Sequence, residues 1–391
     1  MTKRFGGRWW LVGAITVAVA GLAATTLTVI GSGDSGNGGD SASLSKLDTK
    51  TVPPDAGSCD VELLDWPAEG EPGFDLKMSP NGEYIVTDTP GSSDFVMWHN
   101  GKLTVVSDVP GEGDASVSGV NSQGVVIGTR SGSDGSTAYE AWRYEDGEAS
   151  ELRGSGGSAV LDLAAVNDEG TIVAAEPAGS SSGDDLYGNG ILTWAPGDTE
   201  ATTVSLSTTT SGRAPTVRDM SNDGTLVGGQ FSEEMMDAAG EGDYQARMWD
   251  SSGKATAIPI GEYDALASDV AGDWVIASGE SNSYRLTTTA KPVPEKLGGF
   301  TATAVDTSGR AYGGVVSPTG EDENGDGIDD DPDQHVPGVF DSKARPLPVV
   351  EDVKPLHQDV PYGLDIVTAA SEDGAKLAGN WKGNPVMWTC G

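Results

Sequence analysis

The chain has 391 residues and a formal net charge of −37, from 60 acidic against 23 basic residues. Such a field repels nucleic acid, and no basic stripe offsets it. With two cysteines and three histidines there is no Cys/His zinc cluster, and no Gly-x-Ser-x-Gly elbow, HExxH, P-loop or dinucleotide fingerprint occurs.

Lys3, Arg4 and Arg8 precede an uncharged apolar run from Trp9 to Ile30. A helix needs ~20 such residues to cross a bilayer. Positive charge before the run and acidic sequence after it orient the C-terminal part outward. Two readings stay open. Ala18-Val-Ala20 resembles a signal-peptidase site, whereas the run continues past it as an uncleaved anchor would. Residues 1–31 are therefore a signal peptide or a signal-anchor helix. The rest of the chain is expected at the cell surface, single-pass and membrane-anchored, or else secreted. Residues 32–57 are rich in Gly, Ser and Asp and read as a disordered, solvated linker.

Residues 58–391 carry one phrase seven times. Ser, Asn or Asp stands three residues before a Gly, and an apolar run follows. The copies are Ser79–Gly82, Asn121–Gly124, Asn167–Gly170, Ser221–Gly224, Asp269–Gly272, Asp306–Gly309 and Ser371–Gly374. Three residues after each Gly stand Ile85, Ile127, Val173, Val227, Val275, Tyr312 and Leu377. Most copies then reach an aromatic: Trp98, Trp142, Trp194, Trp249, Phe340 and Trp388. Side chains of the first type bond backbone N–H groups two residues on, and Gly supplies positive φ. Each phrase is therefore read as the hairpin between a blade's first and second strands. Seven such all-β units predict a seven-bladed β-propeller. Small residues four after the Gly (Gly128, Ala174, Gly228, Gly313, Ala378) are expected to let neighbouring blades approach, and the tryptophans to pack between blades. The fifth copy is the weakest, with Tyr284 and Leu286 in place of Trp.

Over residues 74–390 this pattern resembles extracellular HAF-type repeats and, more distantly, WD40-like and TolB-like blades. Asn121–Gly128 with Ala141-Trp142, and Asn167–Ala174 with Leu192-Thr-Trp194, carry the resemblance best. It implies a propeller, and mostly an interaction scaffold with varied partners.

The last repeat stops at Val386-Met-Trp388-Thr-Cys390-Gly391 without an outer strand. Cys59-Asp-Val-Glu-Leu-Leu-Asp-Trp66 is a strand without a blade. Residues 59–65 are thus expected to complete the seventh blade, with a Cys59–Cys390 disulfide in place of the missing hairpin turn. Export permits such a bond.

Insertions fall at residues 176–189, 232–243 and 317–337. Inserted loops on one propeller face often carry specificity. The last contains Asp322, Asn324, Asp326, the backbone carbonyl of Ile328, Asp330 and Asp333, with Gly327 where a calcium loop turns sharply. Hard Ca²⁺ takes six or more oxygens at this spacing. Asp333 stands where an EF-hand has Glu, and no amphipathic helices flank the loop. A calcium-ordered loop is expected, against the alternative of a solvated acidic one.

The leading functional expectation is a non-catalytic binding or scaffold module that takes an extracellular protein, peptide or glycan. It touches the membrane only through the N-terminal helix, and no catalytic residue is singled out. The alternative is an extracellular glycan hydrolase or lyase using Asp/Glu residues in the propeller pit. A close, buried carboxyl pair in the pit would favour the enzyme. A lining of small apolar and Ser/Thr residues would disfavour it.

Overall fold

The computed structural model describes residues 59–67, 72–73, 75–107, 109–131, 139–157, 160, 163–177, 187–207, 215–232, 243–317, 334–354 and 365–391. They form seven antiparallel sheets of four strands each. Blade 1 shows the plan, with Lys77–Met78 innermost, then Tyr84–Asp88, Phe95–His99 and Lys102–Val106 outermost. Blades 2 to 7 begin with the inner strands Ala115–Val120, Leu163–Val166, Pro215–Met220, Leu266–Ala271, Phe300–Val305 and Val367–Ala370.

Six of the seven turn phrases are built as their chemistry requires. Gly82, Gly124, Gly170, Gly224, Gly309 and Gly374 each donate a backbone N–H to the carbonyl of the Ser, Asn or Asp three residues earlier. In blade 2, Asn121 Oδ1 accepts from the amides of Gln123 at 3.1 Å and Val125 at 2.9 Å. Gly124 takes φ +79°, which an L-residue adopts only at a cost. The fifth copy differs. Asp269 is a strand residue paired with Ile276, and the reversal is a two-residue turn, Gly272-Asp273, between Ala271 and Trp274. The phrase at Asp269–Gly272 is a coincidence of spacing.

Each of the seven core clusters spans one seam between adjacent blades. Trp98, Trp142, Trp194, Trp249 and Trp388 are fully buried there, as packing residues rather than carbohydrate platforms. Four indole N–H groups reach back to backbone carbonyls outside their own blade's repeat: Trp98 to Asp65, Trp194 to Arg153, Trp249 to Ser207 and Trp388 to Pro348. Trp142 lies opposite Gly128, two residues from the position the others occupy, and its indole nitrogen has no partner among the described residues. Leu286 of blade 5 fills the corresponding slot opposite Val275.

Of the small residues after each turn, Ala174 and Ala378 pack in the seams between blades, whereas the glycines serve a different purpose from the one expected. A Cβ on Gly128, Gly228 or Gly313 would strike the carbonyl of Ser116, Thr216 or Thr301, each on the inner strand of the same blade. Those inner strands carry a β-bulge, and the glycines make room for it.

The ring closes as the termini foretold. Cys59–Leu63 pairs antiparallel with Asn384–Cys390 as the outer strand of blade 7, in the register Cys59↔Cys390 to Leu63↔Val386. Cys59 and Cys390 form a disulfide across a sequence separation of 331 residues. Chain-entropy reasoning caps its contribution at about 5–6 kcal/mol, and measured bonds commonly give ~2–4. Reduction, or Cys59→Ser with Cys390→Ser, should lower the thermal midpoint. Hydrogen exchange should rise first along Cys59–Leu63 and Asn384–Cys390. Uniform acceleration across all blades would instead mean that closure is not the weak seam.

Candidate functional site

The inner strand of each blade has one edge paired and one edge facing the propeller axis. Unpaired N–H and C=O groups there need partners. The preceding blade supplies several of them. Thr303 Oγ1 donates to the Val367 carbonyl at 2.5 Å, and Thr368 Oγ1 to the Leu76 carbonyl at 3.0 Å. Asp219 Oδ2 accepts from the Val270 amide at 2.9 Å, and Asp269 Oδ2 from the Val305 amide at 2.7 Å.

Six inner strands carry the bulge, and the residue just past it is Gly119, Ala165, Asp219, Asp269, Ala304 or Ala369. In blade 1 the corresponding register is held by Lys77, opposite Val86. One level around the axis therefore holds four Gly or Ala residues and three charged ones. The bulge residues themselves are Ser118, Ala164, Arg218, Ser268, Thr303 and Thr368.

Asp219 and Asp269 stand on adjacent inner strands, near enough for each carboxyl to act on the other's ionisation. Burial pushes both upward in pKa. The neighbouring Asp219 charge drives Asp269 well above the carboxylate range, while the amides of Met220 and Val270 and then Lys77 hold Asp219 back. Neighbouring like charges disfavour double ionisation, so the two carboxyls titrate as a pair, with the larger upward shift on Asp269. Burial pulls Lys77 down, but Asp75, Asp219 and Asp269 outweigh it and keep its ammonium charged. Its Nζ lies 2.7 Å from Asp75 Oδ2. Beside them, burial and then the Asp75 charge push Asp88 upward, against the pull of its own backbone amide. The centre can donate a proton from Asp269, accept one at Asp219, and hold fixed positive charge at Lys77. At neutral pH Lys77 is thus a fixed cation rather than an amine nucleophile.

Of the residues singled out in the sequence, Cys59 and Cys390 are together. Asp322, Asn324, Asp326, Ile328, Asp330 and Asp333 lie outside the described residues, as do residues 1–58. Among the described residues no group of three or more His, Cys, Asp or Glu is arranged to hold a metal. Nor, among them, is any helix long and apolar enough to cross a membrane. His99 stacks on Tyr84 at 4.3 Å, and His335 shares a 3.1 Å hydrogen bond with Thr301. The expected insertions join second to third strands in blades 3, 4 and 6, so the strand ends flanking them share one face.

Lys77, Asp219 and Asp269 went unread in the sequence. The signal was there for two of them. Lys77 and Asp219 stand two residues before their turn, where other copies carry Gly119, Ala165, Ala304 and Ala369. Asp269 was hidden because the false fifth phrase assigned it to a turn.

No family profile matches the chain, and no curated protein matches it in sequence. Solved structures do resemble its fold. Virginiamycin B lyase from Staphylococcus aureus shares 12% identity with a TM-score of 0.52, over 85% of this chain and 99% of that one. The Swd1 β-propeller domain of Myceliophteria thermophila shares 8% identity with a TM-score of 0.50, over 85% of this chain and all (100%) of that one. TolB from Acinetobacter baumannii aligns over 56% of this chain and 54% of its own, at 13% identity and a TM-score of 0.37. The first two likenesses establish the propeller and nothing finer.

The proton on Asp269 gives a signed pH prediction. A carboxyl raised in the folded state makes that state bind more protons than the unfolded chain, where the group titrates near ~3.9. Stability therefore falls as pH rises from about 4 through the folded pKa. Asp269→Asn keeps an acceptor for the Val305 amide and a donor for Asp219. The variant should match the parent below pH ~4 and melt higher than it at pH 7–8. Asp365, pushed up to about 6 by burial despite the Lys382 and Gly383 amides, has the same sign in both proteins and cancels in the comparison. A variant that melts lower at neutral pH would make Asp269 a structural clamp.

Proposed function

We propose that this propeller works through its axial pit as an acid–base enzyme, a hydrolase or lyase acting on an extracellular glycan or a comparable polar substrate. One observation carries the reading. Two interacting carboxyls with upward-shifted pKa values, Asp219 and Asp269, stand on inner strands at the level of the charged Lys77, where the other blades carry Gly or Ala. Buried carboxyls whose pKa values are driven apart are the usual means of having both an acid and a base at neutral pH. Such pairs cost stability, and functional sites are where that cost is tolerated. Carboxyls that shift each other's pKa favour proton transfer at a single centre, as in an eliminating lyase, over the ~6.5–9.5 Å separation of an inverting glycosidase.

A second reading keeps the chain a non-catalytic scaffold. It is supported by the Val270 and Val305 amides, which make both aspartates double as clamps between blades. Export through the 1–31 segment belongs to either reading. The purified protein should be tested on a panel of extracellular polysaccharides, with new reducing ends and unsaturated sugar products as readouts. Under the enzyme reading Asp219→Asn and Asp269→Asn each lower turnover at least about 100-fold, while folding is retained. Lys77→Met shifts the pH profile. Turnover unchanged in all three variants would leave the scaffold.

Calcium at residues 322–333 is a separate part of the proposal. That segment joins the second and third strands of blade 6, Ala311–Ser317 and Gln334–Phe340. Millimolar calcium should raise the thermal midpoint of the parent and leave an Asp322→Ala/Asp326→Ala variant unmoved. Equal responses from the two proteins would remove the metal from the proposal.

A further inference from the structure

The turn phrases do more than reverse the chain. Their middle residues bond to one another around one end of the axis. The Asn81 amide donates to Ser122 Oγ at 3.2 Å, and Asn81 Nδ2 to the Ser122 carbonyl at 3.3 Å. The Ser122 amide and hydroxyl donate to Asp168 Oδ1 and Oδ2 at 2.8 and 3.0 Å. The Asp168 amide donates to Asn222 Oδ1 at 2.8 Å. Asn222 Nδ2 then donates both to Asp168 Oδ2 at 3.3 Å and to Glu372 Oε1 at 2.9 Å. The Glu372 amide returns to the Pro80 carbonyl, and Thr307 donates twice to the Glu372 carbonyl.

Six blades take part. Blade 5 is absent because its reversal is the short Gly272-Asp273 turn. The Asn222–Glu372 bond joins blades 4 and 7, which stand on opposite sides of a seven-bladed ring, so it is a chord across the axis. Asn222 follows Asp219 by three residues, and Pro80 follows Lys77 by three. At ~3.3 Å per strand residue, the chord lies within about 10 Å of the carboxyl pair along the chain.

We propose that this hydrogen-bonded ring seals one mouth of the axial channel, so that the Asp219–Asp269 pair forms the floor of a blind pit served end-on. The ligand is then a small polar molecule or the free terminus of a longer chain, never the interior of one. A through-channel or an open groove would accept a polymer passing across the pair, whereas a pit closed at its floor admits only what has an end. The proposal rests on the axial centre being the working site, but its test reads access rather than turnover.

Lys77 reports that access. Modification by a small amine-reactive ester at mildly alkaline pH can be followed by mass spectrometry, with exposed Lys102 and Lys254 as internal references. Asn222→Ala/Glu372→Ala should speed Lys77 modification severalfold by opening the second mouth, while Glu372→Gln, which keeps the acceptor, behaves as the parent. Backbone exchange within the blade ladders should not change. In the parent, the ester carried on the end of a linear polyethylene glycol should modify Lys77, and the same ester at the midpoint of that polymer should not. Equal rates in variant and parent would overturn the seal. Ladder exchange rising with the labelling would make the ring a general clamp and equally overturn it. Midpoint reagent reacting as well as end reagent, or neither polymer reagent modifying Lys77 under conditions where the small ester does, would overturn the end-on assignment. Loss of the enzyme reading would show instead as unchanged turnover in Asp269→Asn.

Discussion

Seven inner strands converge on one axis, and each presents an edge whose amides and carbonyls have no fifth strand to pair with. Exposed edges invite aggregation, and buried ones cannot stay unsatisfied. The chain resolves part of this by having the inner strands of blades 4 to 7 serve the next blade. Thr303 and Thr368 donate to carbonyls of the following blade, and Asp219 and Asp269 accept its amides. The β-bulge in six inner strands goes with this arrangement, because it turns the side chains around it toward the axis. The glycines of the second strands go with the bulge in turn, since the carbonyls of Ser116, Thr216 and Thr301, two residues before it, occupy the space of a Cβ.

The same device generates the candidate centre. Where the serving residue is Thr, the edge is satisfied by a neutral donor and nothing further follows. In blades 4 and 5 it is Asp, and two adjacent aspartates bring two half-buried carboxyls near one another. Each raises the cost of ionising the other, and a lysine from blade 1 offsets the charge that remains. Four small neighbours on the same level leave the pair uncovered from the axis. The structural and chemical roles of these residues are thus not alternatives by location, only by energetic sign. A clamp stabilises the ring at neutral pH, whereas a proton-sharing pair costs it stability.

Closure makes all of this possible. A propeller has no strand-to-strand continuity between its last blade and its first unless one terminus supplies it. Here Cys59–Leu63 does so, and the disulfide at its first residue fixes the register of the seam. The indole N–H bonds of Trp98 and Trp388 lie on either side of that seam, to Asp65 and Pro348. Inter-blade packing is otherwise repetitive, so the local strength of each seam depends on details such as the unpartnered indole of Trp142.

Much of this architecture was legible in the residues themselves. Turn chemistry is local, so Asn121–Gly124 and its relatives announce hairpins without reference to the rest of the chain. Counting them gives the number of blades. A final repeat lacking one strand and an N-terminal strand lacking a blade imply each other, and two lone cysteines mark where they meet. Even here, local reading erred once. Asp269-Val-Ala-Gly272 has the right spacing but is a strand followed by a shorter turn, which only the register with Trp274–Ser278 reveals. What the linear chain could not show is the meeting of Lys77, Asp219 and Asp269, or of Asn222 with Glu372, 150 positions away. These contacts join blades far apart in sequence and exist only once the ring has closed around its axis. Burial, which sets the proton on Asp269, is likewise a property of the closed ring. Periodicity determines how many blades there are, and the geometry of their closure determines which side chains meet at the centre.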